Sequence, residues 1–156
     1  MLTLNRKINE ATMSAKPQIR LLLVEDDEVD VMNVKRALKK NNLTIPIHHV
    51  SDGYEALELL DYWQFSEFTR LKNLLILLDL NMPKMNGLEF LKILRENRQF
   101  SKIPVIILTT SNQQKDLAAA YDLNVAGYIV KPMEFQQFVE TIDALSRYWS
   151  ICEMPE

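Results

Sequence analysis

The stretch LLILLDLNMPKMNG, Leu74–Gly87, places five apolar residues directly before an aspartate, Asp79. A run that is apolar at every position is typical of a strand covered on both faces of a parallel sheet. Pro83 then favours a turn, and Asn86 with Gly87 favours the start of a helix. The sequence therefore predicts a buried strand that ends on a carboxylate at the edge of the sheet.

Four further apolar runs of strand length occur along the chain, at Ile19–Val24, Ile45–Val50, Pro104–Leu108 and Ala126–Val130. The segments between and after them carry apolar residues every three or four positions, as in helices that lay one face on a sheet. Asp27, Asp52 and Asn86 are suitable residues to cap the first three of these helices. We expect an α/β protein whose parallel sheet lies between helices.

Composition indicates one globular domain. The chain has 156 residues with 47% hydrophobic and 25% charged residues, which is ordinary for a protein with a packed core. The net charge of −3 and the absence of a basic patch disfavour direct nucleic-acid binding. Cys152 is the sole cysteine, and no apolar run has the length of a signal or membrane segment. We therefore expect a cytoplasmic protein without a membrane anchor.

We divide the chain into three parts. Residues 1–18 are polar and aperiodic and are expected to form a flexible N-terminal tail. Residues 19–149 carry all five strand–helix units and form the domain, and residues 150–156 form a C-terminal extension. Initiation at Met13 is an open alternative to initiation at Met1.

Polar side chains follow the predicted strands. They are Glu25, Asp26 and Asp27 after the first run, Asp79 after the third, Thr109, Thr110 and Ser111 after the fourth, and Lys131 after the fifth. Because the carboxyl ends of parallel strands share one edge, these side chains should converge there. Clustered carboxylates favour a divalent cation such as Mg²⁺, while an amine and a hydroxyl suit phosphoryl oxygens. The pattern predicts a phosphoryl-transfer site with Asp79 as the nucleophile.

Four motifs carry a resemblance to a known family: VEDD (Val24–Asp27), LLDLNMPKMNG (Leu77–Gly87), PVIILTTS (Pro104–Ser111) and AGYIVKP (Ala126–Pro132). In this order they resemble the receiver domain of two-component response regulators. The resemblance implies a flavodoxin-like, doubly wound, five-stranded parallel sheet in the order 2-1-3-4-5 with five helices. It also implies that Asp79 accepts a phosphoryl group from a sensor histidine kinase, and that catalysis is limited to the protein's own phosphorylation and dephosphorylation.

The resemblance assigns further roles by position. Asp26 and Asp79 would bind Mg²⁺ directly, Asn81 through its main-chain carbonyl and Glu25 through a metal-bound water. Thr109 and Lys131 would contact the phosphoryl oxygens, and Tyr128 would be the aromatic switch residue that turns inward. The Lys131–Pro132 peptide would be cis, which is essentially confined to X–Pro bonds.

Three positions depart from the commonest family pattern. Thr110 stands where many receivers have alanine, and its branched side chain is expected to narrow access to the site. Asn81 and Ser111 occupy positions that tune self-dephosphorylation, and neither side chain is suited to orient water strongly. We expect a longer phosphoryl lifetime than in the fastest chemotaxis-type receivers.

The closing segment KPMEFQQFVETIDALSRYWSICEMP and the long connection DYWQFSEFTRLKN carry a narrower resemblance. They resemble the stand-alone receivers that serve bacterial phytochromes and related sensor kinases. This implies a sensor histidine kinase as partner, either phytochrome-like or of a class without a phytochrome, an unidentified downstream protein, and a homodimer through the last helix and its extension.

Three rival functions remain open. An aspartyl-phosphate phosphatase generally needs a second acid two residues beyond the nucleophile, where this chain has Asn81. A nucleotide or flavin binder needs a phosphate-cradling glycine loop after the first strand, and the three glycines do not form one. A pseudo-receiver scaffold would not require the intact set of Asp26, Asp79, Thr109 and Lys131.

Several other residues have simpler interpretations. His48 and His49 lie in a predicted strand and are expected to be structural, and Cys152 is expected to be a free thiol. Trp63, Phe65 and Phe68 are either core cover or a partner surface. Tyr148, Trp149 and Ile151 are expected at an interface, because an apolar stripe at the chain end has little domain left to pack against.

Overall fold

The computed structural model describes residues 18–155. Apart from Gln18, the predicted N-terminal tail lies outside the described residues, as does Met13. The strands are β1 (Arg20–Val24), β2 (Ile47–Val50), β3 (Leu74–Leu78), β4 (Val105–Thr109) and β5 (Gly127–Val130). The α-helices are α1 (Glu28–Lys40), α2 (Gly53–Ser66), α3 (Gly87–Glu96), α4 (Gln114–Asp122) and α5 (Phe135–Ile151), and a short 3₁₀ helix spans Phe68–Leu71.

All strand pairs are parallel, and the order across the sheet is β2-β1-β3-β4-β5. The predicted flavodoxin-like fold with five strands and five helices is confirmed. The register places Val24 beside Leu78, so that β1 and β3 end side by side. The residues that follow these two strands therefore meet at the same edge.

The sheet is covered on both faces. One face, formed by residues that include Leu22, Ile76 and Ile107, packs on α2, α3 and α4. The opposite face, formed by residues that include Leu21, Leu75 and Leu108, packs on α1 and α5. Each of the five residues of β3 is buried, as a central strand between two helical layers requires.

The three predicted caps are confirmed. Asp27 accepts from the amide of Val29 at 2.8 Å, and Asp52 accepts from that of Glu55 at 2.9 Å. Asn86 accepts from the amide of Glu89 at 2.9 Å. Each such bond satisfies an amide that the first turn leaves unpaired, and it stabilises a helix by about 1 kcal/mol.

The aromatic side chains separate into core and surface. Trp63 is buried in the core, whereas Phe65 and Phe68 are exposed. The prediction that Trp149 lies at an interface is wrong, because its side chain is only 9% exposed and packs in the layer between the sheet, α1 and α5. The face of α5 that meets the sheet extends to its last turns, whereas Tyr148 and Ile151 are exposed, as residues of an interface would be in the single chain.

His48 and His49 both lie in β2, as predicted. The His48 ring packs edge-on against Trp63, with ring centroids 5.0 Å apart. The His49 Nε2 lies 2.7 Å from the carbonyl oxygen of Glu25. None of the helices between residues 18 and 155 is both long enough and apolar enough to cross a membrane.

Candidate functional site

Three carboxylates meet at the carboxyl edge of the sheet. The main-chain ladder continues one residue beyond the strands, since the amide of Asp79 donates to the carbonyl of Val24 at 3.0 Å. One oxygen from each of Glu25, Asp26 and Asp79 lies within 4.8 Å of the other two. Glu25 is 2% exposed and Asp79 is 7% exposed, while Asp26 is exposed. Crowded and partly buried carboxylates repel one another unless positive charge compensates them.

Lys131 brings positive charge to this cluster. Its main-chain amide donates to the carbonyl of Thr109 at 2.7 Å, which fixes the end of β5 beside β4. Its Nζ donates to Glu25 Oε2 at 2.6 Å and to Asp30 Oδ2 at 2.7 Å, and lies 3.8 Å from Asp79 Oδ2. The ammonium is therefore shared by three acids, and its bond to Asp30 was not predicted from the sequence.

The expected cis peptide at Lys131–Pro132 is wrong, because this bond is trans. The trans form is intrinsically preferred by roughly 0.5–1 kcal/mol even before proline. Lys131 reaches Glu25 and Asp30 with the trans bond in place.

The pKa values in this cluster shift for identifiable reasons. Burial raises the pKa of Glu25 to about 7; the hydrogen bond and charge of Lys131 offset part of that rise, and the charge of Asp79 adds to it. Burial alone would lower the pKa of Lys131, but its hydrogen bonds to Asp30 and Glu25 outweigh this and hold the pKa above its ordinary value. Lys131 is therefore a cation at neutral pH, and burial makes the negative charge of Glu25 costly without further compensation.

These residues fit a divalent cation. Asp79 Oδ1 is buried and has no hydrogen-bond partner among the described residues, which is costly for a carboxylate oxygen. Three carboxylates offer hard oxygen ligands of the type that Mg²⁺ takes. Asp26 and Asn81 also line a cavity of about 360 Å³, so the cluster opens toward solvent on the side of the loop after β3.

Gly87 allows this loop to return close to Asp79. Its amide donates to the carbonyl of Leu80 at 2.9 Å. A Cβ at this position would lie 2.3 Å from the carbonyl oxygen of Asp79. The sequence indicated Gly87 only as a helix start, whereas the structure requires a residue without a side chain here.

The hydroxyl side of the site is a connected network. Thr109 is buried at the end of β4, and its Oγ1 accepts from the amide of Ser111 at 3.4 Å. The Ser111 hydroxyl donates to Asp116 Oδ2 at 2.6 Å, and the Tyr128 hydroxyl donates to the Ser111 carbonyl at 2.9 Å. Ser111 thus joins Thr109, Tyr128 and the start of α4, and the partner carboxylate Asp116 was not predicted.

Tyr128, Thr110, Asn81 and Asp27 lie around this network and the acid cluster. Burial raises the pKa of the half-buried Tyr128 against the opposing hydrogen bond to Ser111, and the charges of Asp116 and Asp79 raise it further. Thr110 is exposed at the mouth of the strand end, and Asn81 is exposed in the loop after β3. Asp27 caps α1 and receives no bond from Lys131, as expected for the acid just outside the site.

A doubly wound sheet with an acidic cluster, a hydroxyl and a lysine at its carboxyl edge defines the class of two-component receiver domains. Residues 21–143 match the family described as the response regulator receiver domain. The chain belongs to this family.

Relatives extend over most of the chain. "Probable methanogenesis regulatory protein FilR2" of Methanothrix harundinacea is 34% identical over 138 residues, which are 88% of this chain and 87% of that protein. "Response regulator Rcp1" of Synechocystis is 33% identical over 135 residues, 86% of this chain and 91% of Rcp1.

Two crystal structures are similar to the whole fold. That of the phosphorylated cyanobacterial phytochrome response regulator RcpA has a TM-score of 0.78 at 31% identity and covers 90% of this chain and 100% of its own. The Mn²⁺-bound form of Rcp1 has a TM-score of 0.75 at 32% identity, with the same coverage of 90% and 100%. The relatives of this chain thus include phytochrome-associated response regulators and a receiver that holds a divalent cation.

Proposed function

We propose that this protein is a response regulator that accepts a phosphoryl group on Asp79 from a sensor histidine kinase in an Mg²⁺-dependent phosphorelay. The observation that carries the proposal is the buried Asp79 carboxylate, which has one oxygen without a donor and lies among Glu25, Asp26 and Lys131. Its catalysis is limited to its own phosphorylation and dephosphorylation. The signal then passes on through altered protein contacts.

In the proposed reaction, an Asp79 oxygen attacks the phosphorus of the kinase phosphohistidine. The P–N bond breaks, its electron pair returns to the imidazole, and Asp79 becomes an acyl phosphate. Lys131 and Thr109 contact the phosphoryl oxygens. Asp26, Asp79, the Asn81 main-chain carbonyl and, through water, Glu25 would hold Mg²⁺, which when bound neutralises charge on those oxygens.

The proposed switch shifts an equilibrium that already exists in the unphosphorylated protein. Thr109 moves toward the phosphoryl group, and Tyr128, joined to it through Ser111, turns inward. Because Ser111 also binds Asp116, the same movement reaches α4 and the neighbouring surface of β5. Tyr121 and Val130 are exposed there and could meet the unidentified downstream protein.

The proposed partners follow from exposed surfaces and from relatives. A kinase that approaches Asp79 meets the exposed side chains of Val29 and Met133, which follow the site residues of β1 and β5 in the chain. The likeness to Rcp1 and RcpA supports a phytochrome-like kinase. Because the relatives also include FilR2, a probable methanogenesis regulatory protein, a kinase of another sensory class is the alternative partner.

We further propose that residues 19–149 are the receiver unit and that α5 with residues 150–156 forms a homodimer contact. The exposed Tyr148 and Ile151 support this contact. The proposed location is the cytoplasm, and neither nucleic acid nor a membrane is a proposed partner, in keeping with the net charge of −3.

Acetyl phosphate with Mg²⁺ tests the phosphoacceptor directly. Mass spectrometry should find the wild type phosphorylated on Asp79, the Asp79→Asn variant unmodified, and labelling abolished when EDTA removes the metal. Asp61→Asn is the matched control, because it removes an exposed acid of α2 far from the strand ends in sequence, and it should be labelled normally. Decay of the wild-type label, followed beside a chemotaxis-type receiver, tests the expected long lifetime.

The rival functions give different results in this experiment. A pseudo-receiver scaffold would leave the wild type unlabelled under every condition. A phosphatase would release phosphate from added phosphoesters over many turnovers, whereas the proposed receiver would release phosphate only as fast as the label on Asp79 decays. Labelling of Asp79→Asn to the wild-type level would refute the assignment of Asp79.

A further inference from the structure

The Lys131 ammonium is not shared evenly by its three acids. It donates short hydrogen bonds to Glu25 and Asp30, at 2.6 and 2.7 Å, but lies 3.8 Å from the nearer oxygen of Asp79. The other Asp79 oxygen receives no hydrogen bond from any described residue. The carboxylate expected to react is thus the one that the ammonium binds least.

We propose that Asp30 is a positioning residue that holds the Lys131 ammonium away from Asp79 in the unphosphorylated protein. In doing so it favours cation binding and disfavours the phosphorylated state. This inference rests on the proposed function of Asp79 as the phosphoacceptor, and it concerns the balance between the two states of that site.

The charge on Asp79 depends on which acids engage Lys131. An ammonium group has three donors, and Asp30 and Glu25 each engage one of them at close range. Asp79 therefore keeps most of its negative charge for a metal ion or a phosphorus atom. Without the Asp30 charge, the ammonium would turn toward Asp79, because that is the next acid within reach.

Phosphorylation of Asp79 would change the partners of Lys131. A phosphoryl group on Asp79 places strongly accepting oxygens beside Lys131, and the ammonium must then exchange one of its present partners. Glu25 is a poor partner to abandon, because its side chain is only 3% exposed. The Asp30 side chain is 31% exposed, so water can replace the bond that it loses.

Asp30 can act in this way without being a metal ligand. It lies in the first turn of α1, where its amide faces the Asp27 cap at 3.4 Å, so its backbone is fixed by the helix start. Its side chain reaches the lysine from outside the acid cluster. Asp30 therefore changes the charge around Asp79 through its bond to Lys131 and through its own negative charge, without joining the acid cluster.

Two binding measurements test the inference. The first is the Mg²⁺ affinity of the unphosphorylated protein, measured by calorimetry. The second is the affinity for beryllofluoride, an anionic phosphoryl mimic, at saturating Mg²⁺ and followed by fluorine NMR. Asp30→Asn should weaken Mg²⁺ binding roughly threefold to tenfold and strengthen beryllofluoride binding by a similar factor, since one negative charge is removed near both.

Control variants separate this effect from general charge or structural effects. Glu28→Gln removes the same charge from an exposed position in the same turn of α1, and both affinities should stay within about twofold of the wild type. Asp30→Glu restores the charge and should return both affinities toward the wild type. Asp30→Ala should repeat the opposite shifts of Asp30→Asn, whereas a merely damaged site would weaken both ligands.

The inference is overturned if Asp30→Asn behaves like Glu28→Gln, or if both affinities fall together. The proposed function fails in a different way, namely if wild-type protein binds no beryllofluoride or if Asp79→Asn binds it equally well. The two failures are therefore distinguishable in the same set of titrations.

Discussion

Replacing Gly87 by alanine should destabilise the protein and disturb Asp79 directly. The added Cβ would lie 2.3 Å from the Asp79 carbonyl oxygen and 2.8 Å from the Leu80 Cα, whereas such contacts are essentially never shorter than 3.0 Å. The obstructing atoms belong to the main chain and cannot rotate away, so α3 or the end of β3 must move by roughly 0.7 Å. Overpacking of this kind costs about 1–3 kcal/mol, which exceeds the gain of up to about 1 kcal/mol from placing alanine in a helix.

Urea unfolding monitored by circular dichroism measures the effect, and the chain contains its own control. We expect Gly87→Ala to lower the free energy of unfolding by about 2 kcal/mol and to slow phosphorylation of Asp79. A Cβ on Gly127 would lie 3.9 Å from Ile106, an ordinary contact, so Gly127→Ala should be neutral or stabilising by about 0.5 kcal/mol. Equal stability of the two variants would refute the steric reasoning.

Two further perturbations test contacts outside the site. The Arg95 guanidinium donates four hydrogen bonds to main-chain carbonyls near the start of β4 and the end of α4. Arg95→Met should therefore lower the free energy of unfolding, measured in urea, by about 2–3 kcal/mol. Arg98 is exposed, and Arg98→Met should lower it by less than about 0.5 kcal/mol. Burial, with the charges of Arg70 and Arg20, lowers the pKa of His48, whose Nε2 accepts from the Arg70 guanidinium at 2.9 Å. The unfolded chain therefore binds a proton at this residue better, and the stability that His48 contributes should be lost as the pH drops from about 6.5 through its folded pKa. His48→Gln should flatten that part of the pH profile, and an unchanged slope would contradict the assignment.

The sequence contained most of the information that determines the fold. The bounds of β3 coincide with the apolar run Leu74–Leu78. Because a strand buried on both faces is apolar at every position, the polar residues on either side mark its ends. The predicted first strand began one residue early at Ile19, and the second began two residues early at Ile45, since apolar residues flanking a strand also pack on the core. The helix caps were also predictable from the sequence, because a cap residue binds backbone amides only two or three positions further along the chain.

The predicted site residues directly follow the strands, and this position is visible in the sequence. The site residues that were not predicted lie within helices instead. Asp30 lies in a helical first turn, where an acid is favourable for the helix dipole whatever else it binds. Its partner Lys131 is 101 positions away in the chain, so only the folded arrangement reveals the pair. Asp116 was missed for the same reason, because it stands in the first turn of α4 like any acid at a helix start.

Trp149 shows where a correct local pattern led to a wrong conclusion. Apolar residues recur every three or four positions along α5, and Trp149 belongs to this series with Phe138 and Ile142, yet the nearby chain end favoured an interface for it. The sheet-facing side of α5 is long enough for all three to pack against it, with Cys152 and Met154 adding cover beyond. How far a core extends along a helix depends on the tertiary arrangement, which spacing alone does not encode.

The two ends of α4 are held by contacts of different kinds. At its start, Asp116 binds the Ser111 hydroxyl, and the Ser111 amide faces Thr109 at 3.4 Å, so this end is tied to the site by few and partly long bonds. At its other end, Arg95 donates to the carbonyls of Leu123 and Asn124 at 2.9 and 3.2 Å, which ties it to α3. Because the bonds at the start depend on Thr109 and those at the end do not, a movement of Thr109 should displace the start first. The arrangement therefore favours rotation of α4 about its C-terminal end over translation of the whole helix.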